Sequence, residues 1–138
     1  MRLVACILFS VLWATPRCLA KPTSADITAY AKECVAKKVR IDLIAKFGTD
    51  YRGLELKAID LRGFNVNHET ILRGADFSDA DLEGAILTGA MLDGAKFTGA
   101  KCKGSFLGSC SMVGANLEGA NFENAYLDFA RLHKASLK

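Results

Sequence analysis

Ala75-Asp76-Phe77-Ser78-Asp79-Ala80-Asp81-Leu82-Glu83-Gly84-Ala85-Ile86-Leu87-Thr88-Gly89 repeats one pattern every five residues, and the pattern continues to Ala135-Ser136-Leu137. A helix advances about 100° per residue, so residues five apart would smear an apolar stripe around every side of it. A strand alternates its faces, so an odd period would send successive Leu and Phe residues to opposite sides. Only a chain that closes on itself after a whole number of pentads keeps them all inside. The repeat therefore implies a solenoid.

The large apolar centres run Leu72, Phe77, Leu82, Leu87, Leu92, Phe97, Cys102, Leu107, Met112, Leu117, Phe122, Leu127, Leu132 and Leu137. Two residues before each centre stands Ala, except at Thr70, Ser105 and Cys110, and a small residue so placed implies a tight interior. Two residues after the centre stands mostly Gly, as at Gly84, Gly94 and Gly104, which suits a turn needing positive φ; Asn124 is the natural substitute. Tyr51, Leu56, Leu61 and Val66 form a weaker frame offset by one residue, with Glu69 as the extra residue bulging one corner.

The A-(D/N)-(L/F)-x-G pattern resembles the pentapeptide-repeat family. That resemblance implies an all-β fold, a right-handed quadrilateral β-helix with one pentad per side and four per coil. Charge supports a coil of twenty. If residues twenty apart stack at about 4.8 Å, like charges should avoid that offset. From Glu69 onward the charged pairs twenty apart are Arg73/Asp93, Asp76/Lys96, Asp81/Lys101, Glu83/Lys103, Lys103/Glu123 and Glu118/Lys138, all opposite in sign.

The organisation expected is a signal peptide over residues 1–20, a helical capping segment over 21–48 and the solenoid over 49–138. Arg2, the apolar run Leu3 to Ala14, Pro16 and the small-residue site Cys18-Leu19-Ala20 read as a secretory leader cleaved before Lys21. Ser24 to Phe47 reads as helical, capped by Thr23 or Ser24 and stopped at Gly48, with its phase lost near Lys38 to Arg40. Covering the first coil is its structural role, because a solenoid's end exposes core and unpaired backbone. The last coil, ending at Leu137-Lys138, has no such cap in the sequence.

Removing Arg2 and Arg17 with the leader takes the eighteen basic residues to sixteen, against fifteen acidic ones. No basic stripe with stacking aromatics is present, so nucleic-acid binding is not expected, nor a membrane span. His68 and His133 have no ligand-spaced partner, no nucleophile sits near a base, and no glycine-rich phosphate loop occurs. Neither a cofactor, a metal nor a small-molecule substrate is indicated, and an enzyme is not expected. Cys102 and Cys110 should point inward as buried thiols on opposite walls, whereas Cys34 would be open to mixed disulfides if exposed.

What remains is surface. The side centred on Leu82, Cys102 and Phe122 carries Asp81, Lys101, Asn121 and Glu83, Lys103, Glu123, a solvated charge ladder. The side centred on Leu87, Leu107 and Leu127 shows Ile86, Phe106 and Tyr126 in one column, joined by Phe129 where Gly is usual; Ile71 and Met91 on an adjoining side extend it. Such a stripe fits a protein-binding face, for self-association as a homodimer or for another protein. The alternative is that stacked side chains only stabilise the rungs of a purely structural protein. By resemblance, some intracellular relatives mimic DNA and act on DNA gyrase as dimers, which would apply if the leader stayed uncleaved. Other relatives are exported, which fits a periplasmic or secreted protein, or one of the thylakoid lumen.

Overall fold

The computed structural model describes residues 22–37, 48–66 and 68–137. The leader and the stretch 38–47 lie outside the described residues, so the expectations placed on them have no structural counterpart.

From Asp50 onward the chain winds into a right-handed quadrilateral β-helix, with one pentad on each side. Each side is a short parallel rung: Ile86 pairs with Phe106 and Phe106 with Tyr126, as Asp81 pairs with Lys101 and Lys101 with Asn121. The first coil pairs at an offset of twenty-one instead, through Asp50 with Ile71, Glu55 with Asp76, Asp60 with Asp81 and Asn65 with Ile86. The extra residue therefore falls between Val66 and Thr70, where the offset frame in the sequence places it.

Most corners among the described residues share one construction. The Ala80 N–H donates to the Phe77 carbonyl at 3.0 Å, closing the turn. Between coils, the Phe77 N–H donates to Lys96 O at 2.7 Å and the Lys96 N–H to Ala75 O at 2.9 Å, so the rungs satisfy the backbone that the turns leave free. The corner residue is left-handed, as at Gly84 with φ 65°. L-residues pay sterically for that conformation, which is why the sequence spaces glycine by fives. Ala58, Asp79, Ser109, Asn124, Phe129 and Lys134 adopt it without that freedom.

Inside, the centres and the Ala positions fill the coil. Leu72, Phe77, Leu82, Leu87, Leu92, Phe97 and Cys102 are fully buried, with Phe77 and Phe97 stacked at 5.0 Å. Burial falls off in the last coil, where Phe122, Leu127 and Leu132 are half-buried and Leu137 is exposed.

The helix α1 spans Ser24–Lys37. Thr23 and Asp26 form its capping box: the Asp26 N–H donates to Thr23 Oγ1 at 3.2 Å, and the Thr23 N–H donates back to Asp26 Oδ2 at 2.9 Å. Its buried face is Ile27, Ala31 and Cys34, four and then three residues apart, and these join the core of the solenoid. Cys34 is thus buried, which removes the exposed thiol on which a mixed disulfide would depend.

Candidate functional site

Two adjacent sides of the solenoid share one backbone and differ in what they carry outward. On the Leu82 side the ladder is ionic. Arg62 Nη2 reaches Asp60 Oδ2 at 2.7 Å while its Nε lies 4.0 Å from Asp81 Oδ2, so one guanidinium serves two stacked carboxylates. Lys103 Nζ meets Glu123 Oε1 at 3.1 Å. Arg62 holds the Asp60 carboxyl below its ordinary range, chiefly through their hydrogen bond.

Two further sides carry similar pairs. Arg73 Nε lies 3.2 Å from Asp93 Oδ2. Asp76 is buried between Lys57 Nζ at 3.3 Å and Lys96 Nζ at 3.5 Å. Burial would push this carboxyl up, but hydrogen bonds from Ser78 together with Lys57 outweigh it and hold it below the ordinary value.

The Leu87 side differs. Ile86, Phe106 and Tyr126 stand in one column, with Phe106 and Tyr126 rings parallel to within 3° and centroids 4.8 Å apart, at the spacing of the rungs. Phe106 is 42% exposed and Tyr126 55%. At the next corner Phe129 is 91% exposed and holds φ 60°, so it carries both an uncovered ring and a backbone conformation unfavourable to it. Met91 lies round that corner, in the column of Ile71 and Ser111, half-buried. The structure therefore gathers Phe106, Tyr126 and Ile86 into one strip, sets Phe129 at its edge, and puts Met91 on the adjoining side.

The second outward column of this side is Thr88, Gly108 and Asp128, which the repeat pattern alone did not bring into view. Its signal was present: Gly108 follows its centre by one residue, where the other repeat glycines follow by two. Unlike those glycines it is absent from the left-handed region, and a Cβ built on it would meet only Asp128 O at 3.5 Å, an ordinary contact. At Gly89 the same construction falls 2.7 Å from His68 Cβ.

Chemistry is sparse elsewhere. Among the described residues no cluster of His, Cys, Asp and Glu could hold a metal ion, and no buried side-chain polar atom lacks a partner. Burial, with Asp81 nearby, pushes the Cys102 thiol up to about 12. Burial likewise pushes Cys110 up to about 11, with Asp93 adding to it and a backbone hydrogen bond opposing. Both stay protonated and inert at neutral pH. A groove of about 490 Å³ runs between α1 and the first coil, lined by Ala31, Ala36, Ala58, Ile59, Lys32 and Lys57 among others. No helix among the described residues is long and apolar enough to cross a membrane.

The family model of pentapeptide repeats matches this chain in eight copies, over residues 68–99, 75–112 and 100–138. No curated protein matches. Among solved structures, the chain is similar to HetL, a pentapeptide repeat protein involved in heterocyst differentiation regulation from the cyanobacterium Nostoc sp. strain PCC 7120, with a TM-score of 0.64 at 29% identity. That match covers 68% of this chain and 44% of HetL, so the chain spans less than half of HetL's length. It is also similar to Rfr23 of the cyanobacterium Cyanothece 51142, with a TM-score of 0.43 at 28% identity over 64% of this chain and 67% of that one. A third is a pentapeptide repeat protein of the Arabidopsis thaliana thylakoid lumen, with a TM-score of 0.30 at 30% identity over 64% of this chain and 61% of that one.

Proposed function

Since this chain belongs to the pentapeptide-repeat family, we propose that it is an exported, non-catalytic scaffold that binds a protein through the side carrying Ile86, Phe106 and Tyr126, with Phe129 and Met91 at its margin. One observation carries the reading. Phe129 keeps a ring 91% in solvent at a left-handed corner where glycine would relieve both costs, on a side where Phe106 and Tyr126 stack as exposed rings and Asp128 is the one outward charge among residues 86, 88, 106, 108, 126 and 128. An outlier of this kind is what a binding contact would retain against stability. Export rests on Met1 to Ala20 alone. Mixed-sign ladders such as Arg62 with Asp60 and Lys103 with Glu123 speak against imitation of uniformly anionic DNA.

The parallel stack of Phe106 on Tyr126 also favours a second reading, in which the rings serve only to stabilise their rungs. A photo-cross-linking phenylalanine analogue placed at position 106, and at Lys101 on the charged side as control, separates the two in cells making the full chain. Discrete adducts at 106 and none at 101 are expected. Absence of adducts at both positions would leave the rung-stabilising reading in possession.

A further inference from the structure

We infer that the occupant of this face is a second copy of the same chain, docked side to side about a twofold axis parallel to the solenoid. The inference rests on the reading of this side as protein-binding.

Across its width the side is unequal. One outward column is large, with Phe106 and Tyr126, and the other is small or short, with Gly108 and Asp128. A twofold axis lying in the interface along the solenoid reverses width and preserves height. It sets Phe106 of one copy over Gly108 of the other, and Tyr126 over Asp128, twice each, as an isologous contact must. The corners follow: Phe129 comes over Asn124, whose side of the face otherwise presents glycines. Large thus meets small at each level, which is how well-packed interfaces fill their core. The other in-plane axis, across the solenoid, would oppose each column to itself and press Phe106 on Phe106 beside a void between two copies of Gly108.

Gly108 supplies the independent observation. Neither its φ nor its surroundings within the chain require glycine, since a Cβ there would make an ordinary 3.5 Å contact. Its missing side chain leaves a shallow level in the outer face on which a group from outside can seat. Charge agrees with the pairing. Asp128 is the one charged side chain among the outward residues 86, 88, 106, 108, 126 and 128, and the axis lays it opposite the Tyr126 hydroxyl, a donor to its acceptor, and not opposite another carboxylate. The uncovered parts of Phe106, Tyr126 and Phe129 come to roughly 350 Å² per copy, short of the ~800 Å² per partner of a standard interface. Area of this kind does not set affinity, and the rings are only part of the face, so the expected sign of the dimer is its dependence on concentration.

Sedimentation equilibrium on the protein purified as the producing cell delivers it tests this. A concentration-dependent dimer is expected, with Gly108→Leu weakening it at least tenfold while the thermal midpoint stays level or rises. Oxidising a mixture of Phe106→Cys and Gly108→Cys chains should give the mixed 106 to 108 disulfide in excess of either homodimer. A monomer at every concentration, a dimer indifferent to Gly108→Leu, or a predominance of 106 to 106 disulfides would overturn the inference. If the purified chain is monomeric and the adducts at position 106 contain a different protein, the second copy is excluded and the binding face stands. If there are neither adducts nor dimer, both readings fall.

Discussion

The sides built on Leu82 and on Leu87 are the same object twice, ninety degrees apart on one coil: the same rung geometry, the same corner turns, and centres fully buried at Leu82, Cys102, Leu87 and Leu107 but half-buried at Phe122 and Leu127. One presents Asp81, Lys101, Glu83 and Lys103, and the other Ile86, Phe106, Thr88 and Gly108. In a solenoid the rungs of the backbone are satisfied by the coils above and below, and on the Leu82 side Asp81 and Asn121 add a turn bond by accepting the Glu83 and Glu123 N–H at 3.2 and 2.9 Å. Ile86, Phe106 and Tyr126 have no side-chain acceptor with which to make that bond, so their place in the column answers to something other than the turn.

That equivalence can be broken from the inside first. If the two sides differ only outwardly, Leu82→Ala and Leu87→Ala should each cost about 2–5 kcal/mol and agree with one another, read by urea unfolding. A gap of several kcal/mol between them would mean the apolar side is also structurally special. Glycines give the next largest contrast. Gly89→Ala forces a Cβ onto His68 at a positive φ and should cost about 1–2 kcal/mol, whereas Gly108→Ala should be neutral or stabilising by up to about 1 kcal/mol.

Phe129→Gly sharpens the same contrast from the opposite direction. It removes strain and an exposed ring together, so a gain of about 1 kcal/mol in stability is expected, with loss of whatever binds. Asp76 and Asp60, held below their ordinary range when folded, contribute stability above the unfolded carboxylate value of about 4 and lose it as pH falls through their folded values. The thermal midpoint should thus be level from neutral pH down to about pH 5 and drop below about pH 4, less steeply in Asp76→Asn. Smallest of all, Lys103→Ala on the ladder should change stability by less than about 1 kcal/mol, because both it and Glu123 are half in water.

The repeat makes the solenoid, the offset of its first coil and the outward columns legible in the sequence, because each depends only on counting residues. Ile86, Phe106 and Tyr126 could be aligned that way, and the structure does place them on successive rungs. What counting could not supply is anything that depends on how side chains settle. Asp76 sits in an outward column yet is buried, because Lys57 and Lys96 fold over it from the coils on either side. Cys34 belongs to a helix whose docking has no period to reveal it, and its burial follows from the turn of α1 that also buries Ile27 and Ala31. Gly108 is the intermediate case, since its odd phase is visible in the sequence but its ordinary φ, which gives the oddity meaning, is not.

The closure of four pentads per coil fixes the length in which this molecule can vary. Gain or loss of a single pentad between Leu87 and Leu107 would leave every centre inside and every corner turned, yet rotate all later columns by a quarter turn. Tyr126 would then stand above a different side from Ile86, and the aromatic strip would be dismantled without a single core contact changing in kind. Only a block of twenty lengthens the solenoid and the strip together, so for this architecture the coil, not the repeat, is the heritable unit of surface.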